Sequence, residues 1–138
     1  MRTLLIGAML AVLAGCSAWP SGGRSCDADF AAFERDTLYF GRTGPLSGQI
    51  NVSEEQWISF VDATLTPAFP QGLTVLDAVG QWRNVLGFVM REPSKLVVLL
   101  HPRSAKDDAA IAGIIDTYRK NFGQEAVLQE RQSVCVRF

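Results

Sequence analysis

The 138-residue chain is poor in the groups on which most catalytic centres depend. It has one histidine, three cysteines and no basic excess, with 13 Lys and Arg against 14 Asp and Glu. With only His101 to serve as base and no Gly-x-Ser-x-Gly turn, a serine-histidine-acid hydrolase site is unsupported. No Cys-x-x-Cys pair is present, and a lone histidine gives no metal-ligand spacing, so neither a redox centre nor a metal is implied. The near-neutral charge lacks the electrostatic footprint of a nucleic-acid binder. Long hydrophobic runs are missing too. The apolar stretch from Leu4 to Leu13 is well short of the ~20 residues a membrane-spanning helix needs. No internal repeat is visible, and no cofactor is called for.

The N-terminus is informative. Met1-Arg2-Thr3 forms a short positive region, the apolar run follows, and Leu13-Ala14-Gly15-Cys16 resembles the lipobox of bacterial lipoproteins at every position. The resemblance implies that residues 1–15 are a signal peptide and that Cys16 is the lipid-bearing first residue of the mature protein. Each buried acyl methylene contributes about 0.8 kcal/mol, and two or three chains hold a protein stably at a bilayer. Ser17, where an aspartate would signal retention in the inner membrane, implies export to the outer membrane facing the periplasm. Residues 16–25, rich in Ser, Gly and Pro, read as a tether, and residues 26–138 as a single domain. With Cys16 lipidated, Cys26 and Cys135 remain as an even pair in an oxidising compartment and are expected to form a disulfide.

Asp36 to Arg42 is β-branched and aromatic and reads as a strand, broken by the Gly41–Gly48 cluster. Ser53 and Gln56 form a capping box for a helix starting at Glu54, with Trp57, Phe60, Val61 and Leu65 as its buried stripe, until Pro67 and Pro70 make continuation unfavourable. Leu73–Trp82 and Ser94–Leu100 read as strands, and Val89 could extend the second one backward past Pro93. Ser104 caps a second helix carrying Ile111, Ile115, Tyr118 and Phe122, closed by Gly123. Ala126–Phe138 supplies the last strand. The order β-α-β-β-α-β predicts an α+β, ferredoxin-like split βαβ sandwich: a four-stranded antiparallel sheet with both helices on one face. The run Leu96-Val97-Val98-Leu99-Leu100 is apolar on both faces. The helix-free face is therefore expected to be covered, by residues 26–35 with Phe30 and Phe33, by a second subunit, or by a ligand.

Six residues stand out as candidate ligand contacts on chemical grounds: Tyr39, Arg42, Trp82, Arg83, Glu92 and His101. Arg42 sits in a glycine-containing loop that superficially resembles an anion site but lacks the Gly-Lys-Ser/Thr ending. Arg83 and Glu92 are placed to face each other as an ion pair across a hairpin. His101 ends a strand, where a surface or hydrogen-bonded role competes with that of a general base.

Over residues 37–101 the chain is similar to a family of small bacterial lipoproteins of unknown function. The resemblance rests on Leu38-Tyr39-Phe40-Gly41, Val52-Ser53 with Trp57 and Phe60, Phe69-Pro70-Gln71-Gly72-Leu73-Thr74, Gly80-Gln81-Trp82-Arg83 and Arg91-Glu92-Pro93-Ser94-Lys95. It implies one coherent domain and carries no catalytic residues across. A rigid anchored sheet without a catalytic set points first to a non-enzymatic module that binds an envelope protein or a second copy of itself. The alternative is a small-molecule-binding protein or enzyme with a pocket on the helix-free sheet face. An open apolar pocket there favours the alternative; a face sealed by residues 26–35 favours the interaction module.

Overall fold

The computed structural model describes residues 26–44 and 51–138. The lipobox, Cys16, the tether and loop residues 45–50 lie outside them. The elements are β1 (Ala31–Gly41), a continuous helix α1 built from Glu54–Phe60, Val61–Leu65 and Thr66–Ala68, then β2 (Thr74–Arg83), β3 (Val89–His101), α2 (Ala105–Phe122) and β4 (Leu128–Val136). All strand pairs are antiparallel and the spatial order is β2-β3-β1-β4, as the ferredoxin-like arrangement requires.

Period-two alternation along β1 separates the two faces. Leu38 and Phe40 point into the core with Val97 and Leu99 of β3, whereas Tyr39 opposes Leu96 and Leu128 on the other side. An aromatic cluster fills the space between sheet and helices. Phe40 packs on Trp57, Phe60 and Tyr118 at centroid distances of 5.3, 5.9 and 4.7 Å, and Tyr118 packs on Phe122 at 4.8 Å. Edge and tilted geometries of this kind add about 0.5–1.5 kcal/mol per pair beyond area burial. Ile114 shares the core with Ile111 and Tyr118; Ile115, expected on the buried stripe, is only partly buried beside it.

Ser53 and Gln56 form the reciprocal capping box at the start of α1. Pro67 does not end this helix. The preceding Val61–Leu65 segment widens into a π turn, with the Thr66 amide reaching back to Val61, and the chain continues to Ala68. Proline lacks the amide and its ring clashes with the carbonyl four residues back in α geometry, a conflict the wider turn relieves. Gly123 closes α2 at φ 61°, the left-handed conformation anticipated for it.

Two expectations need correction. β1 begins at Ala31, so Phe33 is part of the sheet and residues 26–35 do not lie across it. Arg83 opposes Val89 and Glu92 opposes Gly80, so the anticipated ion pair does not form. Arg83 instead donates to the Gly87 carbonyl at 2.6 Å. The loop is tighter than expected because Asn84 Oδ1 accepts from the amides of Leu86 and Phe88, both at 3.0 Å, drawing Val89 across from Arg83. On β4, Val134 and Val136 oppose Phe33 and Ala31 on the helix-free face. Cys26 and Cys135 are bonded, with Cα atoms 5.6 Å apart.

Candidate functional site

A cavity of about 520 Å³ opens on the helix-free face, at the end of the sheet where β1 finishes and the β2–β3 hairpin begins. Tyr39 and Leu128 form one side, Ala78 to Trp82 the other, and Glu92, Ser94 and Leu96 of β3 the floor between them. Gln124, Glu125 and Ala126, which follow α2, overhang it. Gln124 holds this overhang in place by donating from Nε2 to the Thr43 carbonyl at 2.9 Å.

Two glycines let the floor dip. A Cβ at Gly41 would stand 2.5 Å from Glu92 Oε1, and one at Gly80 would stand 2.9 Å from Ser94 Oγ. The Glu92 carboxylate therefore lies directly against the β1 backbone. Its Oε2 accepts from the Thr43 amide at 3.1 Å and from the Thr43 hydroxyl at 2.7 Å. Tyr118 supports the same spot from the core by donating to the Gly41 carbonyl at 2.8 Å. Burial of this phenol raises its pKa; the Arg42 charge partly opposes the rise and the Glu92 charge adds to it, so it remains a donor. Trp82 Nε1 is buried and has no acceptor among the described residues.

Of the six candidate residues, Tyr39, Trp82 and Glu92 meet in this cavity, while Arg42, Arg83 and His101 do not line it. Arg42 donates from Nε to the Val52 carbonyl at 2.9 Å and pairs through Nη1 with Glu54 at 2.8 Å, bracing the start of α1. His101 lies on the opposite, helix-covered face. There its Nε2 is 2.7 Å from Asp36 Oδ2 and its Nδ1 is 2.9 Å from the Pro102 carbonyl. Asp36, fully buried, also accepts from Arg131 at 2.9 Å and from Gln129 at 2.7 Å. Thr43, Gly80, Ser94 and Gln124 are contributors that motif reading misses. Gly80 carried a usable signal, since an isolated glycine in a strand marks close approach of another group.

The cavity combines aromatic and aliphatic walls with a small number of fixed polar atoms, and its volume falls in the range of small-molecule sites. Trp82 and Tyr39 supply its aromatic surface and Glu92 its buried carboxyl group. Among the described residues no group of three or more His, Cys, Asp or Glu side chains is arranged to hold a metal ion.

In fold the chain resembles a phage SAM lyase solved in complex with S-methyl-5'-thioadenosine, with a TM-score of 0.60, 13% identity, and coverage of 77% of this chain and 90% of the lyase. The same comparison with the apo form of a phage SAM lyase gives a TM-score of 0.56 at 15% identity, covering 78% and 90%. At such identities the likeness extends to the fold. No functionally curated protein matches the sequence. The profile of a protein of unknown function, DUF3574, matches residues 35–138, and the chain belongs to that family.

Proposed function

We propose that this protein is a lipid-anchored envelope lipoprotein whose periplasm-facing domain binds a small organic molecule in the sheet-face cavity. The observation that carries the reading is the cavity itself: about 520 Å³, open, walled by Tyr39 and Trp82 and floored by Glu92. A cover formed by residues 26–35 would have argued against a ligand, and those residues instead turn and enter β1. The lipid at Cys16 would join the domain through residues 16–25 at Cys26, which is bonded to Cys135 beside Ala32. The cavity lies around Gly41, nine residues farther along β1, or about 30 Å at strand spacing. Such an attachment holds the mouth of the cavity away from the bilayer.

The thioadenosine bound by the phage lyase fits the size class of the cavity and supplies the first compound to try. Native mass spectrometry of the detergent-extracted, lipidated protein checks the proposal. A retained small molecule, or binding of added S-methyl-5'-thioadenosine that a Trp82→Ala variant loses, supports it. A protein that carries nothing and whose Trp82 environment responds to no added compound argues against it. Membrane attachment that persists after Cys16→Ser would remove the lipoprotein part alone.

A second reading, an interaction module for another envelope protein, is favoured by one observation. The β2–β3 hairpin exposes Val85, Leu86 and Phe88 at its tip and Val79, 82% exposed, along edge strand β2. Adjacent exposed apolar side chains on a sheet edge mark a contact surface. Site-specific photocrosslinking from position 88 in cells tests it, and a discrete protein adduct is the supporting result.

A further inference from the structure

Charge around the cavity distinguishes Glu92 from the other buried acids. Asp36 is met by His101 and Arg131, and Glu34 is 3.4 Å from the Arg103 guanidinium. Glu92, 8% exposed, has no Lys, Arg or His within ion-pair distance among the described residues. Arg42, close by in sequence, is engaged by Val52 and Glu54. The cavity lining holds a second acid, Glu125, at the overhang, and no basic residue.

We infer that the cavity selects an organic cation, a compact molecule with an ammonium or other onium centre at Glu92 and an apolar or flat body against Trp82 and Tyr39. This deepens the ligand-binding reading and rests on it. A carboxylate withdrawn from water without a countercharge is unfavourable, and the two Thr43 hydrogen bonds orient it without neutralising it. An incoming cation supplies the missing charge. Tyr39 and Trp82 line the same space, and aromatic rings attract onium groups through their quadrupoles. An anion would meet two carboxylates and no donor side chain bearing positive charge. A bare metal ion is a poor occupant, because it would find one buried carboxylate where it needs several oxygen ligands.

Three aromatic probes of matched size separate the possibilities: phenethylamine, phenethyl alcohol and phenylacetate, with benzyltrimethylammonium as a quaternary cation. Binding to the full detergent-solubilised protein is followed by the NMR shift of the Trp82 indole, assigned by its loss in Trp82→Phe. The expected result is that the two cations bind at least tenfold more tightly than the alcohol, that phenylacetate binds weakest, and that Glu92→Gln abolishes the difference. Glutamine keeps an oxygen for the Thr43 donors, so this variant changes charge more than shape. Equal binding of cation and alcohol, or preference for phenylacetate, overturns the cation assignment and leaves the cavity as a ligand site. No response from any probe removes the cavity reading and the cation assignment with it. If Glu92→Gln does not fold, the charge-class order in the unaltered protein decides.

Discussion

His101 donates with both ring nitrogens: a carbonyl can only accept at Nδ1, and Asp36, already holding Arg131, accepts at Nε2. The site thus favours the imidazolium form. Burial opposes that charge, but the hydrogen bonds to Asp36 and Pro102 and the charges of Asp36 and Asp107 outweigh it and hold the histidine pKa above its ordinary value. Asp36 is the mirror case. Burial would raise its pKa, and the hydrogen bonds from Arg131, Gln129 and His101 bring it below the ordinary carboxylate value. The raised histidine contributes stability that is complete below its unfolded pKa, about 6.5, and disappears as pH rises through the folded value. Asp36 contributes stability present above about 3.9 that is lost as pH falls through its own lowered value. Melting temperature should thus decline on the alkaline side of about pH 6.5, and His101→Gln should flatten that decline. Parallel curves for the two proteins would rule out the imidazolium as its source. At Gly41 the cost is steric. Gly41→Ala should lose about 1–3 kcal/mol in urea denaturation because its methyl displaces the carboxylate that Thr43 anchors. In a Glu92→Ala background the same substitution should cost much less, and additivity would contradict the contact.

Helix α1 begins where local chemistry places it, and Ser53→Ala should lower stability by about 1 kcal/mol, since the Gln56 amide loses its Oγ acceptor while the Ser53 amide keeps the Gln56 side chain. A change below a few tenths would mean that water replaces the cap without loss. The box was legible because capping is settled within four residues. So was the four-strand, two-helix order, since each segment carries its own periodicity and breakers. The helix does end between Pro67 and Pro70, at Ala68, but its passage through Pro67 was not legible. Whether Pro67 stops the chain or is absorbed by a π turn depends on what holds the helix from outside, and Leu65 is fully buried just ahead of it. Hairpin register failed for a related reason. Asn84 fixes the loop through its own side chain, a choice that shifts Glu92 from Arg83 to Gly80 and turns an expected ion pair into an unpaired acid on a cavity floor. Tyr39, Trp82 and Glu92 were recognisable as chemically notable residues, yet their meeting is a product of that register and of a helix-free face whose occupancy no local pattern encodes.

At the scale of the molecule, the disulfide and the cavity lie at opposite ends of the sheet. The Cys26–Cys135 bond joins positions 109 apart in sequence and ties the start of the described chain to β4 beside Ala32. Closing a loop of that length restricts the unfolded chain by about 4–5 kcal/mol. Phe30 contributes locally, with the Arg137 guanidinium 5.2 Å from its ring centre, and Phe33 packs against Phe138 at 5.9 Å. None of these contacts reaches the cavity, whose wall begins at Tyr39, about 20 Å beyond Phe33 along β1. The core beneath the cavity depends instead on Phe40, Trp57 and Tyr118, with Tyr118 gripping the Gly41 carbonyl. Loss of the disulfide should therefore separate stability from binding. The Cys26→Ala/Cys135→Ala double variant should unfold at markedly lower denaturant, by about 4 kcal/mol, while its folded form keeps the Trp82 signal and the probe affinities of the parent. Comparing urea midpoints with probe titrations well below the new midpoint makes the distinction. A small stability loss would show that the reduced chain stays compact at its ends. A shift at Trp82 would show that a change at Cys135 is transmitted along β4 to Leu128, and the proposed division between an anchoring end and a binding end would fail.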